Sequence, residues 1–418
     1  MEEYGTPCGF KQEFEISMNL LVKKYGGTSV GTLERIENVA DRLNEDIKRG
    51  ETPIVVVSAM SGETNRLVAM AEKIDADYRG LAYDMLVASG EQVSVALLAI
   101  ALQKRGLKPQ PLLAYQLGIQ TDKIYSKARI QKIDGEKLKK YCQDGFVPIV
   151  AGFQGVDEDD NITTLGRGGS DTTAVALAAA IGARDCEIYT DVVAVCTADP
   201  RLVPNAKELH KVSFEEMMEM AALGSKVLHI RCVEIAAKYG IRIHLRSTFE
   251  SREGTWIVPE GEIMENPLVT AVTHDANTYV FTLHPTPEGT LFLADLFKKL
   301  AARGVIVDII TQSQTEKGQR LAFSVTKEDV PLARQVLKET LPSSVQVETM
   351  EGMAKVSVVG LGMRNHPGVA ATFFETLALE NVPVLLVTTS EIKISAVISN
   401  DHLSKAAQKL SQAFSLMS

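Results

Sequence analysis

The sequence has no CxxC pair and no Cys/His spacing suited to a metal; its five cysteines, Cys8, Cys142, Cys186, Cys196 and Cys232, are scattered and odd in number. That argues against a disulfide framework or a zinc module and fits reduced thiols in a reducing, cytoplasmic setting. It has no long Lys/Arg run and a net charge of −9, so neither nucleic acid nor an anionic membrane is the expected partner. Apolar stretches such as Val93 to Leu102 and Ala174 to Ala183 fall short of the ~18 residues of a membrane span. The opening MEEYGTPCGFKQEFEIS has no apolar core, which excludes a secretory signal, and residues 1–17 read as a loose extension. Met18 stands directly before the strand-like NLLVKKY.

What is present suits a globular protein with more than one core. At 418 residues the chain exceeds the size at which a single core keeps growing. Its 45% hydrophobic and 23% charged residues are ordinary for such proteins. From Asn19 to about Glu265, β-branched runs alternate with helical stretches, the pattern of an α/β unit with a mainly parallel sheet. Strands are expected at Leu20 to Tyr25, Pro53 to Ser58, Phe146 to Ala151, Glu187 to Thr190 and Ile241 to Leu245. Leu33, Ile36, Ala40, Leu43 and Ile47 recur at helical spacing. The acidic DEDDN at Asp157 to Asn161 reads as an exposed hairpin tip.

After Glu265 two weakly similar blocks follow, each reading strand, loop, amphipathic helix, strand, strand and helix. A four-stranded version of the second block lacks one strand. Thr255 to Val258 is a candidate for it, with one module inserted in the other. The boundaries are then 1–17, 18–265, 266–350 and 351–418.

Three motifs carry chemistry. KYGGTSV at Lys24 to Val30 puts a lysine and two glycines between a strand and a helix. Glycine lets backbone N–H groups approach phosphate oxygens, although a plain turn explains the pair as well. TTLGRGGSDTT surrounds Arg167 with glycines ahead of a small-residue helix. Ser170 or Asp171 makes a good N-cap, but a cap does not explain an arginine suited to gripping a carboxylate. ASGEQVS places Glu91 in the first turn of an apolar helix, as a dipole charge or as the partner of a substrate ammonium.

With VVVSAMSGET, IVAGFQG, YTDV, TADPRLVPNAKEL, SFEEMMEMAALGSKVLHIRCVE, VGLGMRNHPGVAATF and TTSEIKIS, these segments resemble the aspartate kinases of the amino-acid kinase superfamily over nearly the whole chain from Asn19. The resemblance implies the amino-acid-kinase fold, an α/β unit with a mainly parallel open sheet, followed by two ACT-like βαββαβ modules. It implies ATP and Mg²⁺, and transfer of a phosphoryl group to the β-carboxylate of L-aspartate, the first step of lysine, threonine and methionine biosynthesis. Lys24 would stabilise the transferring group, Glu91 bind the α-ammonium, Arg167 hold the α-carboxylate and Asp171 organise the centre. Ser58, Thr64, Gly168, Gly169 and Ser170 would line the substrate region. Gly26, Gly27, Thr190, Asp191, Arg201 and Lys226 would join Lys24 at the nucleotide, with no dedicated protein metal site.

A lysine or threonine effector would meet Asn365, His366, Pro367 and Gly368 and a strand at Thr388 to Ile394 that includes Thr389 and Glu391. ACT modules also imply a homodimer or higher homo-oligomer. Two departures stand out: Ala194 and Cys196 replace the usual glycine and tyrosine of the nucleotide segment, and HPTPEG at His284 to Gly289 replaces the expected loop of the first module. Another acyl-phosphate-forming member, an acetylglutamate or glutamate kinase, and a non-catalytic amino-acid-sensing subunit are the alternatives.

Overall fold

The computed structural model describes residues 19–225, 227–264, 267–316 and 318–418. The expected extension at 1–17 and Lys226 lie outside the described residues.

β-Branched runs become the centre of an eight-stranded sheet. Its order is Lys211–Ser213, Thr255–Val258, Arg242–Ser247, Asp185–Thr190, Leu20–Tyr25, Thr52–Val57, Val147–Ala151 and Pro109–Leu112. All neighbours are parallel except Arg242–Ser247 with Thr255–Val258. The alternation of a strand sends Val22 to one face, where it packs with Ala174, Leu177 and Val233. Tyr25 goes to the other, with Ile36, Leu43 and Leu98. Both faces are covered by helices, which is why Thr52–Val57 and Val147–Ala151 carry no charged residue, whereas Leu20–Tyr25 and Asp185–Thr190 carry Lys23, Lys24 and Glu187.

Helix Leu33–Lys48 buries Ile36, Val39, Ala40 and Leu43, while Leu33 faces solvent beside the Thr32 cap. Leu81–Lys104, two helices meeting at Ala88, is 24 residues long with mean hydropathy 1.8 in its most apolar window. By length and composition alone it exceeds the shorter apolar stretch read from the sequence. Its second half nevertheless buries Val95, Leu98, Ala101 and Leu102 against the sheet, as a core helix does.

A smaller sheet of Ile130–Lys132, Gln120–Thr121, Gln154–Val156 and Ile162–Thr164 carries the acidic hairpin. Glu158 and Asp159 are exposed and pair with Lys123. Asp157 differs from the expected exposed tip: it is buried and accepts hydrogen bonds from the Asp159 and Asn161 amides and from Tyr125.

The C-terminal blocks form one six-stranded antiparallel sheet, ordered Val307–Thr315, Gly318–Thr326, Ala271–Thr286, Gln346–Val359, Lys393–Ser399 and Leu386–Thr389. Two long strands run through both modules. The second half of Ala271–Thr286 serves the first module; its first half, Ala271 to Asp275, pairs with Lys355 to Val359 in the second. Register shifts near Asp275 and Thr278 mark the seam. One module is thus inserted in the other. The missing strand is Ala271 to Asp275, not Thr255–Val258, because the latter is held by Arg242–Ser247 and Lys211–Ser213 in the first sheet. The stretch Thr388 to Ile394 is also not one strand: Leu386–Thr389 and Lys393–Ser399 form a hairpin closed by the Ser390 amide on the Lys393 carbonyl.

Candidate active site

Strand direction builds the site. Parallel strands bring the C-terminal ends of Leu20–Tyr25, Thr52–Val57 and Asp185–Thr190 to one edge, where loops gather. A cleft of about 380 Å³ opens there. Lys24, Gly27, Ser58, Thr64 and Glu91 line one part, and the loop from Arg167 through Asp171 lines the other. Residues distant in sequence and expected to share a substrate therefore meet.

Lys24 is 7% exposed, and its Nζ lies 2.5 Å from Asp171 Oδ1. The aspartate sits in the first turn of helix Gly169–Ile181, where the helix dipole favours a negative charge. This pair fixes a cation at the floor of the cleft.

Glu91 is 3% exposed. Its Oε1 accepts the Ala59 amide at 3.0 Å, whereas Oε2 is buried with no hydrogen-bond partner among the described residues. Burial pushes this carboxyl up to about 7 against the opposing hydrogen bond. A buried carboxylate oxygen in want of a partner is the feature a substrate cation would satisfy.

Gly27 and Gly168 have definite reasons to be glycine. A Cβ on Gly27 would stand 2.8 Å from the Ala59 carbonyl oxygen, where the two loops cross. Gly168 has φ +70° as the N-cap of its helix, and a Cβ there would collide with the side chain of His229. The arginine loop thus depends on a left-handed backbone pressed against a second helix.

The nucleotide residues are placed less compactly. The Gly26 N–H donates to the Tyr189 carbonyl at 3.1 Å, so that amide is engaged within the sheet edge rather than open to a phosphate. Thr190 ends the strand beside Lys24, and its hydroxyl donates to the carboxylate of Asp191, the next residue, at 3.1 Å. Arg201 is exposed and paired with Asp199 outside the cleft lining. Ala194 is buried, and Cys196 is half-buried with its thiol shifted up by burial.

At the expected effector region, the Gly360 amide bonds the Ile392 carbonyl at 3.0 Å and Arg364 reaches Glu391 at 3.4 Å. The loop containing His366, Pro367 and Gly368 is thereby joined to the turn after Thr388 and Thr389. Gly368, with φ +110°, opens helix Val369–Leu379.

Several contributors escaped sequence reasoning. Phe153 lines the cleft with φ +70°, a strained backbone for a side chain of that size. Asp84 is fully buried and gathers the amides of Ser126 and Thr164, steadying the approach to the arginine loop. His229 and Arg231 brace that loop from behind. None of these gave a signal in the sequence, whereas the glycines around Arg167, two of them at positive φ, did.

The profile of the amino acid kinase family matches residues 19–247, and that of the ACT domain matches residues 356–414. An aspartokinase of Bacillus sp. (strain MGA3) is 46% identical over 96% of this chain and 98% of its own length. Aspartokinase 2 of Bacillus subtilis is 44% identical over the same shares. Among solved structures, E. coli aspartokinase III in complex with aspartate and ADP (R-state) superposes with TM-score 0.81 at 27% identity, covering 94% of this chain and 99% of that one. The same enzyme with lysine and aspartate (T-state) gives TM-score 0.76 at 27% identity, covering 95% and 99%.

Proposed function

The chain belongs to the amino acid kinase family and, within it, to the aspartokinases; from that premise we propose how its residues divide the work. Glu91 takes the α-ammonium of L-aspartate and Arg167 its α-carboxylate, which turns the β-carboxylate toward the nucleotide. Ser58, Thr64 and the Gly168 to Ser170 backbone complete the pocket. The observation that carries this reading is the Glu91 Oε2, unpartnered among the described residues, in a cleft shared with Arg167 and with the Lys24–Asp171 pair.

Chemistry needs little from the protein beyond position and charge. The substrate β-carboxylate, with a reference pKa of about 3.9, is ionised at neutral pH and attacks without a general base. One of its oxygens bonds to the γ-phosphorus as the bond to the β,γ-bridging oxygen breaks. ADP leaves with that electron pair, and 4-phospho-L-aspartate remains. Lys24 offsets charge on the phosphoryl oxygens while Asp171 keeps its ammonium in place. Mg²⁺ enters on the nucleotide as MgATP, since such ions are commonly held by phosphates and few protein groups. Gly27, Thr190, Asp191 and Arg201 are the nucleotide-side residues of this proposal.

The superposed enzyme was solved with lysine, and by analogy the ACT pair here takes lysine or threonine, at the loop that precedes Val369 and the neighbouring hairpin. A homodimer or larger homo-oligomer in the cytoplasm, acting at the head of lysine, threonine and methionine synthesis, completes the reading. The test is aspartate-dependent ADP formation, with the acyl phosphate trapped as the hydroxamate. Turnover with aspartate but not with glutamate or acetylglutamate is expected; ADP release indifferent to aspartate would overturn it.

A further inference from the structure

Glu216 has no part in the cleft, yet it is 1% exposed and both of its oxygens are engaged. Oε2 accepts from the amide and hydroxyl of Ser213, at 3.3 and 2.8 Å, closing a capping box at the start of helix Phe214–Ala222. Oε1 faces away from its own helix. It accepts the Thr270 hydroxyl at 2.6 Å and the Leu361 amide at 3.1 Å. Thr270 immediately precedes the long strand Ala271–Thr286, and Leu361 begins the turn that leads to the His366–Gly368 loop. One buried carboxylate of the catalytic unit therefore holds the regulatory module at two points. Capping alone would use one oxygen. One turn later on the same helix, Glu219 pairs with Lys393 at 2.5 Å, at the base of the regulatory hairpin.

The other end of this element reaches the active site. Helix Phe214–Ala222 packs on helix Ile230–Tyr239, whose N-cap is His229. The His229 Nδ1 accepts the Arg231 amide at 3.4 Å, which orients the ring. The His229 side chain then rests on Gly168, where not even a methyl group fits. Arg231 donates to the Leu165 carbonyl at 2.5 Å and to the Ala128 carbonyl at 2.9 Å, gripping the start of the same loop. Arg167 lies between these two attachments.

We propose that this helix pair is a strut through which the regulatory module sets the position of the Arg167 loop, with Glu216 and His229 as its positioning residues. A displacement of Leu361 and Thr270 is carried by Glu216 into the first helix, through helix packing into the second, and by His229 onto the backbone of Gly168. Its consequence is specific. Movement of that loop changes the grip on the substrate carboxylate and leaves most of the nucleotide side alone. The proposal rests on the reading of Arg167 as that grip.

The experiment measures aspartate and ATP KM values separately for the full chain carrying Glu216→Gln, Thr270→Val, His229→Ala, and the Glu216→Gln/His229→Ala pair. Thr270→Val removes only one hydroxyl and serves if the Glu216 variant does not fold. Each single variant is expected to raise aspartate KM about fivefold or more, in the range usual for coupled sites, with ATP KM changed less than about twofold. The double variant should be little worse than the weaker-binding single, because both lie on one path. Multiplicative effects in the double variant, or an unchanged aspartate KM in well-folded Glu216→Gln and Thr270→Val, overturn the strut. Arg167→Lys separates the two failures. If it too leaves aspartate KM unaltered, the reading of the cleft falls and the strut with it; if it raises KM while the strut variants do not, the strut alone is wrong.

Discussion

At the scale of single residues, two buried carboxylates show how environment divides similar groups. Glu91 accepts the Ala59 amide and makes no ion pair among the described residues, and burial lifts it to about 7. Glu187 is also buried, which would raise it, but His244, Lys23 and Arg246 outweigh burial and hold it at about 2. Glu91 must be ionised to meet an ammonium. Raising the pH through about 7 should therefore increase kcat/KM for aspartate, and this inflection should vanish in Glu91→Gln. The variant should also lose activity hundreds-fold, on the order of 3–5 kcal/mol for a buried charge left unpaired. A pH–rate profile of both proteins checks this; an inflection that persists in Glu91→Gln assigns it to another group. For Glu187 the sign is opposite. Its folded value lies below the ordinary 4.5, so its contribution is present above that pH and is lost as pH falls toward about 2. Glu187→Gln should lower the melting temperature at pH 7, and its deficit relative to wild type should shrink across that acid window.

At the scale of elements, the arginine loop tolerates little change at Gly168. Gly168→Ala adds a methyl group against His229 at a backbone angle that alanine resists. The loop must shift, and a misplacement near 1 Å lowers turnover on the order of 100-fold. Steady-state kinetics should show this loss in kcat/KM for aspartate, and the strained backbone should lower the melting temperature by a few degrees, on the order of 1 kcal/mol or more. Most of this architecture was legible in the sequence. Apolar runs such as PIVVVS announced central strands, and the catalytic segments announced the residues that line the cleft. What escaped was set by long-range pairing. Thr255–Val258 has the local character of a strand, but nothing local says which sheet will hold it. The hairpin within Thr388 to Ile394 was hidden because TTSEIKIS lacks a Gly or Asn–Gly turn signal. Asp84, His229 and Arg231 gave no signal because their importance lies in reaching loops distant in sequence.

At the scale of the whole molecule, the two sheets are mechanically continuous rather than linked by a tether. Val269 and Val272 share a core with Ala198 and Val203 from the segment just after the catalytic strand Asp185–Thr190. The Thr197 hydroxyl donates to the Leu416 carbonyl near the chain end at 2.6 Å. A ligand that favours one arrangement of the second module must therefore also bias the catalytic unit, provided it binds the two arrangements unequally. The contact best placed to feel such a ligand is Arg364 with Glu391, which ties the loop before helix Val369–Leu379 to the hairpin turn. Glu391 is largely exposed, so the pair adds little to stability and its loss leaves the fold intact. Replacing Thr389 or Glu391 by alanine should relieve inhibition by lysine or threonine, with a 5- to 150-fold change in effector affinity as the usual range of such coupling. Uninhibited kcat should stay within about threefold, since neither residue approaches the cleft. An inhibition titration at sub-saturating aspartate measures both quantities. Wild-type indifference to both amino acids would leave the ACT pair as an assembly surface, and equal inhibition of wild type and both variants would move the effector away from this turn.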